Sequence, residues 1–231
     1  MCGRFSLTAT EEEIAEAFGV YAHSAIPERY NVAPTQPILS VRSTPRGKRE
    51  LAALEWGLVP EWSKEGRKDR PLINARVETV EEKASFKSPL RRTRCLVPFN
   101  GWYEWKTVKG RKQPYYITPR NGAVHAFAGL WAVWHGQEGE HWLETTAFIT
   151  AEAQGPLKAV HHRKPLVVSP ESYQRWLKPE DPLPRNFWDS LTFLPETDFD
   201  MRPVSSRVNS ARFDDSSCID PPEEEMQGSL F

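Results

Sequence analysis

At 231 residues, 39% hydrophobic and 26% charged, the chain is long enough to bury one substantial core and has the composition of an ordinary soluble globular protein. No apolar window approaches the length that crosses a bilayer, and the early stretch EEEIAEAFGV is acidic and amphipathic, which argues against a signal segment and a lipoprotein cysteine. The net charge of −1 conceals a basic middle, with 19 Lys/Arg against 9 Asp/Glu between Arg42 and Arg120, and an acidic end, with 3 against 9 from Glu196 onward; a polyanionic partner and a solvated charged face explain this equally well.

The chain opens MCGRF. Removal of Met1, which the small side chain of Cys2 favours, leaves an α-amine and a thiol on one residue. Such a 1,2-aminothiol has two uses, as an amine-assisted thiol nucleophile or as a pair that captures an aldehyde. Cys2, Cys95 and Cys218 are odd in number and widely spaced, with no C-x-x-C. Neither a disulfide framework nor a metal site is expected, no cofactor is implied, and a reducing cytosol is the expected compartment.

Thr10 followed by Glu13 is a capping box and predicts a short helix through about Phe18. Strand-like runs then dominate: ILSVRS, LAALEWGLV, RCLVPF, GWYEWK, PYYIT, VHAFAGLWAVW, HWLETTAFIT and PLVVS, separated by turns such as TPRGKRE, VKGRKQP and PRNGAV. SPESYQRWLK (169–178) predicts a helix capped by Ser169 with Pro170 in its first turn, and PRNFWDSL (184–191) a third. The expectation is an α+β fold, a single compact domain dominated by a curved, barrel-like antiparallel β-sheet with a few peripheral helices. From residue 214, DDSSCIDPPEEEMQGSLF is polar, proline-broken and acidic, so the domain is expected to span 1–213 and a disordered tail 214–231.

Four stretches carry candidate chemistry. WGLVPEWSKEGRKDR places Trp56 and Trp62 just ahead of Lys64, Arg67, Lys68 and Arg70, and GWYEWKTVKGRK places Trp102, Tyr103 and Trp105 ahead of Lys106, Lys109, Arg111 and Lys112. Aromatic planes beside cations suit a single-stranded nucleic-acid groove. Trp56, Trp105, Trp131 and Trp134 read as core, and Trp62 as the residue to contact a base or sugar. In LINARVET the strand period puts Asn74, Arg76 and Glu78 on one face, either a solvated strand or the polar wall of a site. In GWYEWK, Glu104 shares a face with Trp102, where desolvation would raise its pKa and suit it to shuttling protons. AVHHRKP brings His161 and His162 beside Arg163 and Lys164, cations that disfavour a charged imidazole.

Ordered blocks run through nearly the whole chain: MCGRF, RYNVAP (29–34), WGLVPEW (56–62), INARVET (73–79), RCLVPFNGWYEWK (94–106), QPYYI (113–117), FAGLW (127–131), FITAEA (148–153), VHHRKPLVVS (160–169) and PVSSRVNS (203–210). Together they resemble the SRAP family, the SOS response-associated peptidase or abasic-site-processing proteins. The resemblance implies a mostly β domain with a positively charged cleft around the cysteine. It also implies recognition of abasic sites in single-stranded DNA, and condensation of the Cys2 amine with the lesion aldehyde followed by closure of a thiazolidine. By the same resemblance Glu104 relays protons, His161 assists sugar ring opening, and Asn74 positions cysteine and lesion. Arg4 and Arg76 then hold phosphates, Asn31, Pro34 and Trp62 line the DNA path, and the peptidase label fits removal of residues ahead of Cys2 or self-release from DNA, not general proteolysis. His162 stands where the family more often carries Asp, and spacing to Pro165 favours His161 as the residue facing the lesion.

Two other classes compete. Glutamine amidotransferases also begin Met-Cys-Gly, but no glutamine-binding Arg/Asp pair is recognisable downstream; a non-covalent single-strand-binding module leaves Cys2 and Glu104 without a purpose. QGSLF (227–231) resembles the peptide by which bacterial repair proteins dock on the DNA sliding clamp, with Gly228 as a departure. The expected location is the cytosol, on the nucleoid when DNA-bound, without membrane contact.

Overall fold

Strand-forming sequence resolves into two sheets in the computed structural model, which describes residues 2–21, 26–64, 66, 71–136 and 142–223. In chain order the strands are β1 (Phe5–Leu7), β2 (Arg29–Val32), β3 (Pro37–Ser43), β4 (Arg49–Trp56), β5 (Asn74–Arg76), β6 (Arg94–Phe99) and β7 (Gly101–Val108). They continue with β8 (Arg111–Pro119), β9 (His125–His135), β10 (Trp142–Glu152), β11 (Arg163–Pro165), β12 (Val167–Val168) and β13 (Phe199–Pro203). One sheet has the order β13-β8-β7-β1-β2. In the other, β4, β3, β6, β9 and β10 pair in turn and β10 returns to β4, closing a five-strand barrel. β5 and β11 flank β10, and β12 flanks β9.

The expected α+β domain built on a curved, barrel-like sheet is observed, with one correction: the sheet is not wholly antiparallel. A closed ring of five strands cannot alternate direction throughout, and the parallel pair falls at β10 and β4, with β5 also parallel to β10. Phe5 fills the space between the sheets, edge-on to Trp56, Phe127 and Phe148 at centroid distances of 5.5, 5.9 and 5.7 Å. Burying each such ring contributes about 1.5–3 kcal/mol. This core therefore fixes the first strand, and with it the residues just ahead of it.

The first helix, α1 (Glu11–Phe18), forms as its capping box requires: Thr10 accepts from the Glu13 N–H, Glu13 accepts from the Thr10 N–H, and Gly19 closes the end at φ 61°. Its buried face is Ile14 and Phe18. A helix the sequence reading missed, α2 (Ala84–Arg92), has no capping side chain and contains Pro89, ordinarily a stop signal; Phe86, Pro89 and Leu90 bury it nonetheless. α3 (Gly155–Lys158) is a single turn. The expected 169–178 helix is a 3₁₀ turn, Pro170–Ser172, followed by α4 (Tyr173–Leu177), and Ser169 makes no side-chain cap. Of 184–191 only a 3₁₀ turn at Trp188–Ser190 is helical. No helix among the described residues is long and apolar enough to cross a membrane.

The expected start of a disordered tail at 214 is also corrected. The Asp214 carboxylate accepts the N–H groups of Tyr30 and Asn31, both at 2.7 Å, and pairs with Arg29. Cys218 is fully buried against Tyr103, Tyr116 and Val208, and the Ser205 N–H donates to the Asp220 carbonyl at 2.8 Å. Composition marks Asp214 as solvent-seeking; the two backbone donors and the guanidinium of β2 supply it with partners instead. The clamp-like QGSLF lies outside the described residues, as do Met1 and the cations Arg67, Lys68 and Arg70.

Candidate active site

β1 runs between β2 and β7, with Phe5 opposite Trp102 and the Tyr103 N–H donating to the Arg4 carbonyl at 3.0 Å. That register draws the start of the chain along the strand that carries Glu104. Cys2 is wholly buried, its Sγ lying 3.8 Å from the Arg4 carbonyl. Asn74, at the head of β5, donates from Nδ2 to the Cys2 carbonyl at 2.8 Å. The other amide atom, Oδ1, is buried and has no hydrogen-bond partner among the described residues.

Glu104 is 3% exposed, and burial pushes its carboxyl up to about 7. His161 Nδ1 lies 3.8 Å from Glu104 Oε2, too long for a direct hydrogen bond but within reach of one bridging group. The imidazole is held by the Arg163 N–H, which donates to Nδ1 at 3.0 Å, with the Arg163 carbonyl 3.1 Å away. Burial lowers its pKa, helped by the positive charge of the chain terminus and of Lys112, so it is neutral at neutral pH. The Cys2 thiol is pushed well above its ordinary value, first by burial and then by Glu104. It does not ionise by itself near pH 7; a neighbouring base has to take its proton. A neutral histidine, a carboxyl that titrates near 7 and a protonated thiol thus share one buried corner, the composition of an acid–base site.

Both partner segments hang on β10. Asn74 and Arg76 pair with Phe148 and Thr150, while Arg163, two residues after His161, pairs with Glu152. The Arg163 guanidinium ties them together: it is bidentate to Glu78 at 2.7 and 3.0 Å and donates to the Thr150 carbonyl at 2.6 Å. Sequence reasoning placed Glu78 on the Asn74 face but missed this strut; β5 in fact ends at Arg76, and Glu78 lies in the turn after it.

Other expected contacts fare differently. Arg76 is exposed on the Asn74 face of β5, free to meet a phosphate. Arg4 is committed to protein groups, donating to Asn31 Oδ1 at 2.8 Å and the Val208 carbonyl at 2.7 Å. Asn31 is fully buried, and its Nδ2 reaches the carbonyls of Val208, Ser210 and Phe213. Its expected place on the DNA path is therefore corrected: a buried amide with every atom matched is a strut, not a reader. Pro34 is half-buried in the turn between β2 and β3.

Trp62 is 64% exposed and stands between concavities of about 510 and 330 Å³, neither of which includes Cys2, Glu104 or His161. Trp56 is core as expected, whereas Trp105, Trp131 and Trp134 are half-buried. Trp105 and Trp134 donate to Asn209 Oδ1 and the Ser63 carbonyl, and Trp131 lies under the Arg42 guanidinium. Trp102 and Tyr103, read beside the cations as a possible nucleic-acid surface, are buried instead.

A family model described as SOS response associated peptidase (SRAP) matches residues 1–211. The abasic site processing protein YoaM of Bacillus subtilis is 34% identical over 224 residues, covering 95% of this chain and 98% of its own. The abasic site processing protein YedK of Escherichia coli is 30% identical over 230 residues, covering 96% and 100%. A phage-related protein of Bordetella bronchiseptica superposes with a TM-score of 0.70 at 32% identity, over 89% of this chain and 95% of that one. A Bacteroides thetaiotaomicron structure reaches 0.82 at 24% identity, over 95% and 99%, a likeness of fold.

Proposed function

The chain belongs to the SOS response associated peptidase family, and we propose that it acts on abasic sites in single-stranded DNA by capturing the lesion covalently on Cys2. The names of its relatives support the lesion as target. The observation that carries the reading is the convergence of Asn74 and Glu104 on Cys2, with His161 3.8 Å from the Glu104 carboxylate.

With Met1 removed, the α-amine of Cys2 attacks the aldehyde carbon of the ring-opened sugar. Protonated Glu104 gives its proton to the departing hydroxyl, water leaves, and a protonated imine forms. Glu104, now a carboxylate, takes the thiol proton and is restored, and the thiolate adds to the iminium carbon while nitrogen keeps its one hydrogen as the ring amine. One C–N and one C–S bond are formed for one water lost. A carboxyl that titrates near 7 is suited to both steps, donating and then accepting at the same pH. Neutral His161 serves the sugar ring oxygen as the lesion opens to the aldehyde. Asn74 fixes the Cys2 carbonyl, and its unpartnered Oδ1 accepts from the new α-amine or a lesion hydroxyl. Exposed Arg76 meets a phosphate and Trp62 stacks on a base. The protein works in the cytosol and on DNA in the nucleoid, and QGSLF docks it on the sliding clamp.

Intact-protein mass spectrometry after mixing with single-stranded DNA bearing one abasic site tests this. The expected adduct equals the Met1-free protein plus DNA minus one water, and it is absent for Cys2→Ala. No adduct from protein whose mass shows Met1 removed would overturn the reading.

A further inference from the structure

The tip of the β7–β8 hairpin plays no part in the chemistry above. Lys109, at φ 49°, and Gly110, at φ 79°, make the two-residue turn that joins the strands. Beside it lies a groove of about 690 Å³, lined by Lys109, Arg111 and Lys112 together with Ser206 and Glu223. All three cations are exposed, and none makes an ion pair among the described residues. Among the described residues these three cations ring one concavity without an ion pair and repel one another, and Glu223 is the one acid lining it. An anion with several charges at regular spacing relieves that repulsion better than separate counterions.

The groove is also coupled to the corner that holds Cys2. Lys112, one of its lining cations, is near enough to His161 for its charge to act on the imidazole. The strand that carries Glu104 leads to the tip: Glu104 to Val108 is four residues of β7, about 13 Å of extended chain. A ligand that lies in this groove can therefore be the same molecule that enters the site.

We propose that this groove is a phosphate track, holding the backbone of single-stranded nucleic acid where it leaves the Cys2 site along β7. The inference rests on the DNA reading above and extends the footprint beyond the lesion. The contacts are to phosphates, so the track is indifferent to base sequence. Glu223 opposes it and limits its strength.

The test uses the intact protein and an undamaged, fluorescently labelled oligothymidine of about 20 nucleotides, which has no aldehyde to capture; anisotropy is read from roughly 50 to 200 mM salt. Each single-strand phosphate contact adds about 0.7 to the slope of log affinity against log salt. K109N/R111Q/K112Q, in which asparagine tolerates the left-handed turn position, is expected to lose about 2 units of slope and roughly tenfold in affinity at the lowest salt. R111K/K112R is expected to keep the parental slope, and E223Q to bind about twofold more tightly at low salt. Parental slope and affinity in the triple neutral variant overturn the track alone. A parent protein that does not bind the oligonucleotide overturns both the track and the DNA reading beneath it.

Discussion

Replacing Glu104 by glutamine keeps the shape of the side chain and removes its titration, which separates what the carboxyl does for catalysis from what it costs the fold. Burial raises its pKa from 4.5 to about 7. Because the folded value lies above the unfolded one, the contribution of Glu104 to stability is fully present below pH 4.5 and is lost as pH rises through 7. A shift of this size corresponds to about 3 kcal/mol, and at 3% exposure little of it is screened by solvent. Relative to wild type, E104Q should thus gain about 2.5 kcal/mol between pH 5 and pH 8.5, on top of a pH-independent offset. Urea unfolding of both proteins at several pH values measures this, with the titrating groups not coupled to Glu104 cancelling in the difference. Parallel pH profiles for the two proteins would refute the argument that Glu104 is held protonated by burial. In the same protein the rate of capture should fall by about 10²–10⁴, the usual worth of a positioned acid–base group. The site would then be more stable and less active for one reason.

Asn31→Ala should destabilise the protein by about 3 kcal/mol in urea unfolding, because it strands Arg4 and three carbonyls at once; a change under 0.5 kcal/mol would return Asn31 to the DNA path. Trp62→Ala should leave stability within about 0.5 kcal/mol while weakening single-strand binding by about 1–3 kcal/mol, and unchanged affinity would remove Trp62 from the interface. Deleting residues 227–231 should abolish binding to the sliding clamp in a pull-down and leave capture of abasic DNA intact; equal clamp binding by both forms would dismiss the motif.

What was legible in the sequence was local or periodic. The Thr10–Glu13 box names both of its partners within four residues, and α1 formed as expected. Glu104 was readable because a strand of alternating aromatic residues left it no wet side, and the structure buries it. α2 was not readable: its stability comes from Phe86 and Leu90 packing on the barrel, a tertiary effect that overrides Pro89 and the missing cap. Asn31 and Asp214 failed for a related reason. Their polar chemistry was visible, but apart from Arg4 on Asn31 their partners lie 177 to 185 residues away, and nothing near either residue in the chain announces them. The pairing of Arg163 with Glu78 across 85 residues is the same case.

Those long separations bear on when the site matures during synthesis. Arg4 takes its carbonyl partner from Val208, and the Tyr30 and Asn31 N–H groups take theirs from Asp214. The first strands of the protein therefore wait, incompletely bonded, until almost the whole chain has left the ribosome, about 10–40 s at ordinary elongation rates. Cys2 ends up with no surface exposed, and an aminopeptidase needs an open terminus. On the reading proposed above, the delay gives one: the nascent chain presents Met1 and Cys2 early, and the late bonds from Val208 and Asp214 then complete the strands beside the thiol. Speeding closure of the 204–220 segment would act on this interval and not on the finished site.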